Sequence, residues 1–316
     1  MPETIQIERD GRTMVVRIDR PPHNFMNRHM VAELDELTRN LERDDAIGSV
    51  VITGGIEGKF LTHYDVEEIL AGSEGVGREL SAGLAGASLR TAGELSRIPG
   101  ARDVLGRTPA AGLLELHAIH ELFLRMNRMD KVFIAASNGP ALGGGCELSL
   151  ACDIRYMADD AVAIGLPEMT LGFNPGAGGT QRMARMLGPG RALEIILEAR
   201  ALSPEEALDV GLVHRVVKGK DLAAEARATA ARLARRSPHS VAGLKQAIYE
   251  GGSRSLPDGL AVERKWFMSG ASTPASRRAM RAYGDHIERD GVPAWATREG
   301  IAAWQDGTAV DLTSSA

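Results

Sequence analysis

Asn138–Asp153 reads NGPALGGGCELSLACD, and the apolar run VFIAAS, residues 132–137, leads into it. The pattern predicts a strand, a turn at Asn138-Gly139, a glycine loop at Gly143-Gly144-Gly145, and an apolar helix carrying one carboxylate, Glu147. Glycines let backbone N–H groups approach a ligand with no Cβ in the way. A helix start adds unpaired donors and the positive end of its dipole. Together they form a seat for an oxygen that gains negative charge. Glu147 stands about one turn in, within reach of the same ligand. The loop is not a nucleotide P-loop, because no Lys-Ser/Thr follows the last glycine, and it lacks the G-x-G-x-x-G spacing of dinucleotide folds.

Downstream, DIRY (153–156) reads as a short strand, and AVAIGLPEMT (161–170) places Glu168 after a Gly-Leu-Pro turn. GFNPGAGGT (172–180) is a second glycine- and proline-rich loop, and it enters the helix QRMARMLG. Ser203-Pro204-Glu205-Glu206 is a capping box with Pro at the first helical position. LVHRVV (212–217) reads as a strand, and residues 221–235, 237–250 and 257–288 read as helices. Upstream, residues 4–19 alternate around Asp10-Gly11, a hairpin signal. Arg28–Arg43 carries Val31, Leu34, Leu37 and Leu41 at helical spacing, and SVVIT (49–53) is a short strand. Asp65 is placed to cap a helix through Val66, Ile69 and Leu70. Alternating strands and helices predict a parallel or mixed sheet with crossover helices.

Residues 72–112 differ, being rich in Gly, Ala and Ser. They predict irregular structure or short helices, and so long a connection points to a lid or a disordered segment. Leu113, Leu116, Ile119, Leu122, Phe123 and Met126 then form a helical stripe. His117 and His120 beside Glu121 lack an evident third ligand, so no metal is expected. The division expected is an α/β core over 1–217, containing the 72–112 segment, a helical part over 218–308, and a frayed tail over 309–316.

The 316-residue chain is 44% hydrophobic and 25% charged with net charge −5, ordinary for a soluble globular protein. An acidic balance with no basic-aromatic patch argues against nucleic acid. No signal-peptide h-region and no transmembrane run are seen. The two cysteines, Cys146 and Cys152, sit on one predicted helix and read as buried apolar groups, consistent with a cytoplasmic location.

Two carboxylates held by Gly/Pro loops, Glu147 and Glu168, are the candidates for acid–base work. Burial would raise their pKa values, and proximity would raise one further. Spacing alone does not bring them together.

NGPALGGGCELSLACDIRYMADDAVAIGLPEMTLGFNPGAGGTQRMARMLG and ALSPEEALDVGLVHRVV, with RPPHNFMN and GKFLTHYD before them in order, resemble the enoyl-CoA hydratase/isomerase (crotonase) superfamily. The match covers about residues 4–70 and 128–250. The resemblance implies a crotonase-like spiral of ββα turns, with C-terminal helices forming a homotrimer or dimer of trimers. It implies an acyl-CoA thioester as substrate and no separate cofactor. The thioester oxygen would accept from the backbone N–H groups of Tyr64 and Gly144, and Glu147 and Glu168 would place and activate one water across C2–C3. Phe25, Met26, His63, Asp65 and Gly143 would line the substrate site. Both glutamates favour a hydratase. An isomerase, with Glu168 as its one base, a hydrolase or a decarboxylase shares the scaffold. A non-catalytic acyl-CoA- or RNA-binding relative is the reading from another class.

Two departures stand out. His63-Tyr64 replaces a small, glycine-containing loop before Asp65. About 30 extra residues lie between Tyr64 and Asn138, and the resemblance places them beside the acyl tail. Lys245 and Lys265 are candidates for the CoA phosphates.

Overall fold

The computed structural model describes residues 3–76, 79–96, 98, 108 and 111–314. Strands β1 (Ile5–Asp10) and β2 (Thr13–Ile18) form the expected hairpin, with Asp10 opposite Thr13 and Gly11 at φ +56° making the turn. Helix α1 (Arg28–Leu41) starts at Asn27, whose side chain accepts from the Met30 N–H. It buries Met30, Val31, Leu34 and Leu41 on one face. Each such side chain contributes about 1.5–3 kcal/mol by leaving water. β3 (Ser49–Gly54) then pairs parallel with β2.

Helices α2 (Val66–Val76), α3 (Ala82–Leu95) and α4 (Ala111–Arg128) cross over to β4 (Val132–Ser137). The stretch expected to hold irregular structure or short helices thus carries the end of α2 and a 14-residue α3 packed on α4. Much of the rest, 77–78, 97, 99–107 and 109–110, lies outside the described residues. α4 also packs on α1, where Arg125 donates to Asp35 at 2.6 Å.

β4 continues through β5 (Ala141–Leu142) into α5 (Gly144–Ala151), and β6 (Ile154–Ala158) returns parallel to β4. After β7 (Ile164–Gly165) come α6 (Gly179–Leu187), α7 (Pro189–Leu197), β8 (Ala201–Leu202), α8 (Pro204–Asp209) and β9 (Arg215–Val217). The capping box at Ser203 and Glu206 forms as expected. The main sheet runs β1-β2-β3-β4-β6-β9, parallel except for the first pair; β5-β7-β8 form a second, small sheet. The last strand is shorter than LVHRVV, because Leu212 and Val213 turn into the core and their N–H groups donate to the Ala207 carbonyl at 2.8 and 3.1 Å.

The helical part comprises α9 (Leu222–Leu233), α10 (Pro238–Lys245) with a π turn over Gln246–Glu250, α11 (Leu256–Ala271), α12 (Pro274–Asp290) and α13 (Arg298–Gln305). The single helix expected over 257–288 is two. Thr273 caps the second by accepting from Ser276 N–H, and Pro274 occupies its first position. Residues 309–314 are irregular, and Arg278 donates to the Asp311 and Ser314 carbonyls.

Lys245 is not available to a phosphate. Its ammonium is buried and donates to the carbonyls of Met126 (2.7 Å) and Lys131 (2.7 Å) and to Asp153 (2.8 Å). Tyr249 donates to the other Asp153 oxygen at 2.9 Å. A cation used this way locks α10 to the β4–β6 edge. Among the described residues no helix is long and apolar enough to cross a membrane.

Candidate active site

The glycine loop is shaped by three different constraints. Gly143 has φ +48°, which disfavours other residues. A Cβ on Gly145 would lie 1.8 Å from the Leu61 carbonyl oxygen, so α5 begins against the chain that carries residues 61–65. A Cβ on Gly144 would sit 3.5 Å from the Tyr64 amide nitrogen and from the Met26 sulfur. Gly144 is the first residue of α5, where the N–H has no partner within the helix. Tyr64 pairs with Met26 in an isolated parallel bridge: Met26 N–H donates to the His63 carbonyl (2.8 Å) and Asp65 N–H to the Met26 carbonyl (2.7 Å). Alternation along extended chain turns the Tyr64 N–H away from Met26. Neither the Tyr64 nor the Gly144 N–H has a backbone acceptor among the described residues. The Tyr64 amide thus lies beside the first residue of α5, and among the described residues neither N–H is taken up by the backbone.

Asn24 fixes this arrangement. It is fully buried at φ +54°; its amide donates to the Ile18, Lys59 and Phe60 carbonyls and its oxygen accepts from Arg20 N–H. The loop before α1 is thereby tied to the segment entering Tyr64. Asn138 closes the other side, accepting from Gly54 N–H at 2.9 Å.

Glu147 projects from α5 and is 3% exposed. One oxygen accepts from the Ala177 (2.7 Å) and Gly179 (2.8 Å) N–H groups. Those amides belong to the second glycine loop, held in turn by Arg182, which reaches the Ala177 carbonyl (3.4 Å) and Asn127 (3.2 Å). A Cβ at Gly179 would meet Glu147 at 2.9 Å, so only glycine admits the carboxylate so close. Burial pushes the Glu147 pKa up to about 7; the negative charge of Glu168 adds to that push, and the two N–H bonds oppose it. Glu168 opens the 3-10 turn Glu168–Leu171. Burial raises its pKa as well, and one of its oxygens is buried with no hydrogen-bond partner among the described residues. The other oxygen lies 3.1 Å from where a Gly143 Cβ would be.

A cavity of about 850 Å³ brings these groups together, lined by Met26, His63, Tyr64, Gly143, Gly144, Glu147 and Glu168. Phe25 and Asp65 are not on it. They line a second cavity of about 360 Å³ with Arg20 and His23, reached across His63, which touches both. There Phe25 stacks between His23 and His63, with ring centres 4.9 and 4.2 Å away, and Asp65 pairs with Arg20 at 3.1 Å. The His63 ring nitrogen Nδ1 is 2.7 Å from the Tyr64 carbonyl, and burial lowers the His63 pKa. Gly72, Ser73, Val76, Glu79, Leu80 and Gly112 put both ends of the long connection on the main cavity.

His120 bonds the Gly176 carbonyl at 2.7 Å and His117 packs by Gly93; no group of three possible metal ligands occurs among the described residues. The clamp on Glu147 by Ala177, Gly179 and Arg182 was not foreseen, although the run GAGG was its visible sign.

The raised Glu147 pKa has a consequence for stability. Folded Glu147 holds its proton more tightly than the unfolded chain, so its contribution is most favourable below about pH 4.5 and declines as pH rises to about 7. The charged carboxylate then opposes folding by ~3 kcal/mol. Glu147→Gln keeps the acceptor for Ala177 and Gly179 and removes the charge. It is expected to raise Tm by several degrees at pH 8, less at pH 5, in calorimetric scans.

Two carboxylates of raised pKa on one cavity, beside the helix start at Gly144, are the layout of an acid–base site in an α/β fold. The chain belongs to the enoyl-CoA hydratase/isomerase family, whose model matches residues 101–290. It is 33% identical over 279 residues to the short-chain-enoyl-CoA hydratase of Clostridium acetobutylicum, covering 88% of this chain and 93% of that one. The probable enoyl-CoA hydratase of Mycobacterium tuberculosis is 33% identical over 284 residues, covering 89% and 95%. Among solved structures, a putative enoyl-CoA hydratase from Thermobifida fusca in complex with CoA superposes with TM-score 0.67 at 27% identity, covering 85% of this chain and 93% of that one.

Proposed function

We propose that the chain is an enoyl-CoA hydratase that adds water across the C2–C3 double bond of a 2-enoyl-CoA. The observation that carries this is the convergence of Glu147 and Glu168, both with pKa raised by burial, on one cavity. The thioester oxygen accepts from the Tyr64 and Gly144 N–H groups, which stabilise the enolate that forms. Donors aimed at a developing oxyanion do more in a closed cavity than in water. One carboxylate is ionised and takes a proton from the water; the water oxygen bonds to C3. The other is protonated and delivers its proton to C2. The pair ends with its protonation reversed, and the product is a 3-hydroxyacyl-CoA. We assign the two roles to the pair jointly, because coupled carboxylates share their titration.

Coenzyme A enters as part of the substrate, and no further cofactor takes part. Its chain leaves past His63 toward the second cavity, where the exposed side of His23 and Phe25 offers a flat aromatic surface. The long connection at Ser73–Leu80 and Gly112 bounds the acyl end and sets chain length. The fold follows the family's spiral of ββα turns. Leu256, Phe267, Met268 and Met280, exposed on α11 and α12, are covered in a trimer or dimer of trimers.

The direct test follows the conjugated thioester absorbance of 2-enoyl-CoA substrates of graded length. Turnover is expected to remove it. A protein that converts 3-enoyl-CoA while leaving 2-enoyl-CoA untouched is an isomerase, and the proposal fails.

A further inference from the structure

The lining of the main cavity includes a carboxylate on α4 that the hydration chemistry does not use. Glu115 lies on α4, on the stripe that also puts Gly112, Leu116 and Ile119 on the cavity. Leu116 is within 3.7 Å of a Cβ position on Gly176, next to the loop that clamps Glu147. Ile119 is one turn further along α4, so Glu115 lies about 6 Å back from it along the axis. Helix α2, which packs on α4, supplies Val66, Ile69 and Val76 to the same cavity. One Glu115 oxygen is buried and has no hydrogen-bond partner among the described residues. Burial raises its pKa, and Arg28 tempers the rise.

A buried carboxyl oxygen without a partner costs free energy whether or not it is ionised. Much of the cavity lining, with Val76, Leu80, Leu113 and Leu116, is apolar, and Glu68 and Glu79 are further carboxylates on it. An unbranched hydrocarbon tail would complete that wall and leave Glu115 unpaired. A tail with a hydroxyl would satisfy it in either protonation state, since a hydroxyl donates to a carboxylate and accepts from a carboxylic acid. An ammonium fits less well, because the positive charge of Arg28, which pairs with Glu68 at 3.6 Å, already acts on this carboxyl.

We infer that Glu115 is a specificity-determining residue that selects 2-enoyl-CoA substrates whose acyl chain carries a hydroxyl away from the thioester. This rests on the hydratase reading for the reaction, but its geometric basis is the cavity wall alone. A site built around a hydrogen-bonding partner discriminates against the analogue that lacks it more strongly than an apolar pocket discriminates by size.

The experiment compares kcat/KM for 2-enoyl-CoAs of graded length, plain or ω-hydroxylated, in the wild type, Glu115→Gln and Glu115→Leu. The wild type is expected to favour the hydroxylated substrate at one length by about tenfold. Glu115→Gln keeps most of that preference. Glu115→Leu removes or reverses it, with kcat on the plain substrate intact. An unchanged hydroxyl-to-plain ratio in Glu115→Leu, or equal loss on both substrates, overturns the inference. If no protein turns over any substrate, the hydratase reading has failed separately. Calorimetric binding of saturated ω-hydroxyacyl-CoA against plain acyl-CoA then decides. Tighter binding of the hydroxylated ligand, lost in Glu115→Leu, supports the role of Glu115, and equal binding overturns it.

Discussion

Glu168→Gln is expected to lower kcat by roughly 10²–10⁴-fold with little change in KM, the range over which a positioned acid or base acts. Gln keeps the shape of the side chain and an acceptor, so the cavity and the Gly143 contact survive, while the titrating proton is lost. Glu147→Gln is expected to lose a similar factor. The two acids work on one water, so the double variant should be only slightly worse than either single one. Residues that act as a unit give such non-additive losses. The comparison also separates chemistry from folding, because Glu147→Gln is expected to melt later than the wild type while being far less active. Retained turnover in both single variants, measured by loss of the conjugated absorbance, would remove the two-acid mechanism.

Gly145→Ala is the second large effect. The added Cβ would fall 1.8 Å from the Leu61 carbonyl oxygen, which is backbone and cannot rotate away. Either α5 or residues 61–65 must move. The first carries the Gly144 N–H and the second the Tyr64 N–H, so any accommodation separates the two donors. Losing one donor to an oxyanion costs about 10²–10³ in kcat, and kcat/KM is expected to fall at least that far, with a lower Tm. Gly190→Ala is the matched control. That glycine is exposed in α7 with nothing within 4 Å of the new Cβ, and the change is expected to leave activity intact and raise stability slightly.

The parts of this fold governed by local rules were legible in the amino-acid sequence. The β1–β2 hairpin followed from Asp10-Gly11, and the capping box at Ser203 from its spacing. The strand, glycine loop and helix around Gly143–Gly145 followed from the backbone freedom that the loop requires. The break at Thr273-Pro274 was also visible, as a capping residue before a proline, but helical periodicity on both sides masked it. What was not legible depends on contacts between distant segments. Residue spacing gave no way to bring Glu147 and Glu168 to one cavity; the resemblance to a family supplied that expectation. Lys245 looked like a surface cation because nothing local marks the Met126 and Lys131 carbonyls and Asp153 that receive it. Asn24 and Glu115 are similar cases. One ties two loops and the other faces a cavity, and both roles appear only when the chain is folded. The resemblance placed Phe25 and Asp65 with Met26 and His63 at the substrate site, but it did not show that they line a separate cavity, joined to the main one across His63. Alternation along an extended chain sends adjacent side chains to opposite faces, which puts them on the second cavity.

The most direct test is to incubate the protein with a 2-enoyl-CoA in ¹⁸O-labelled water and locate the label by mass spectrometry. Hydration by the Glu147–Glu168 pair predicts one ¹⁸O in the C3 hydroxyl of a 3-hydroxyacyl-CoA, with the thioester intact. Label in a free carboxylate, or a shifted double bond with no label, would contradict it.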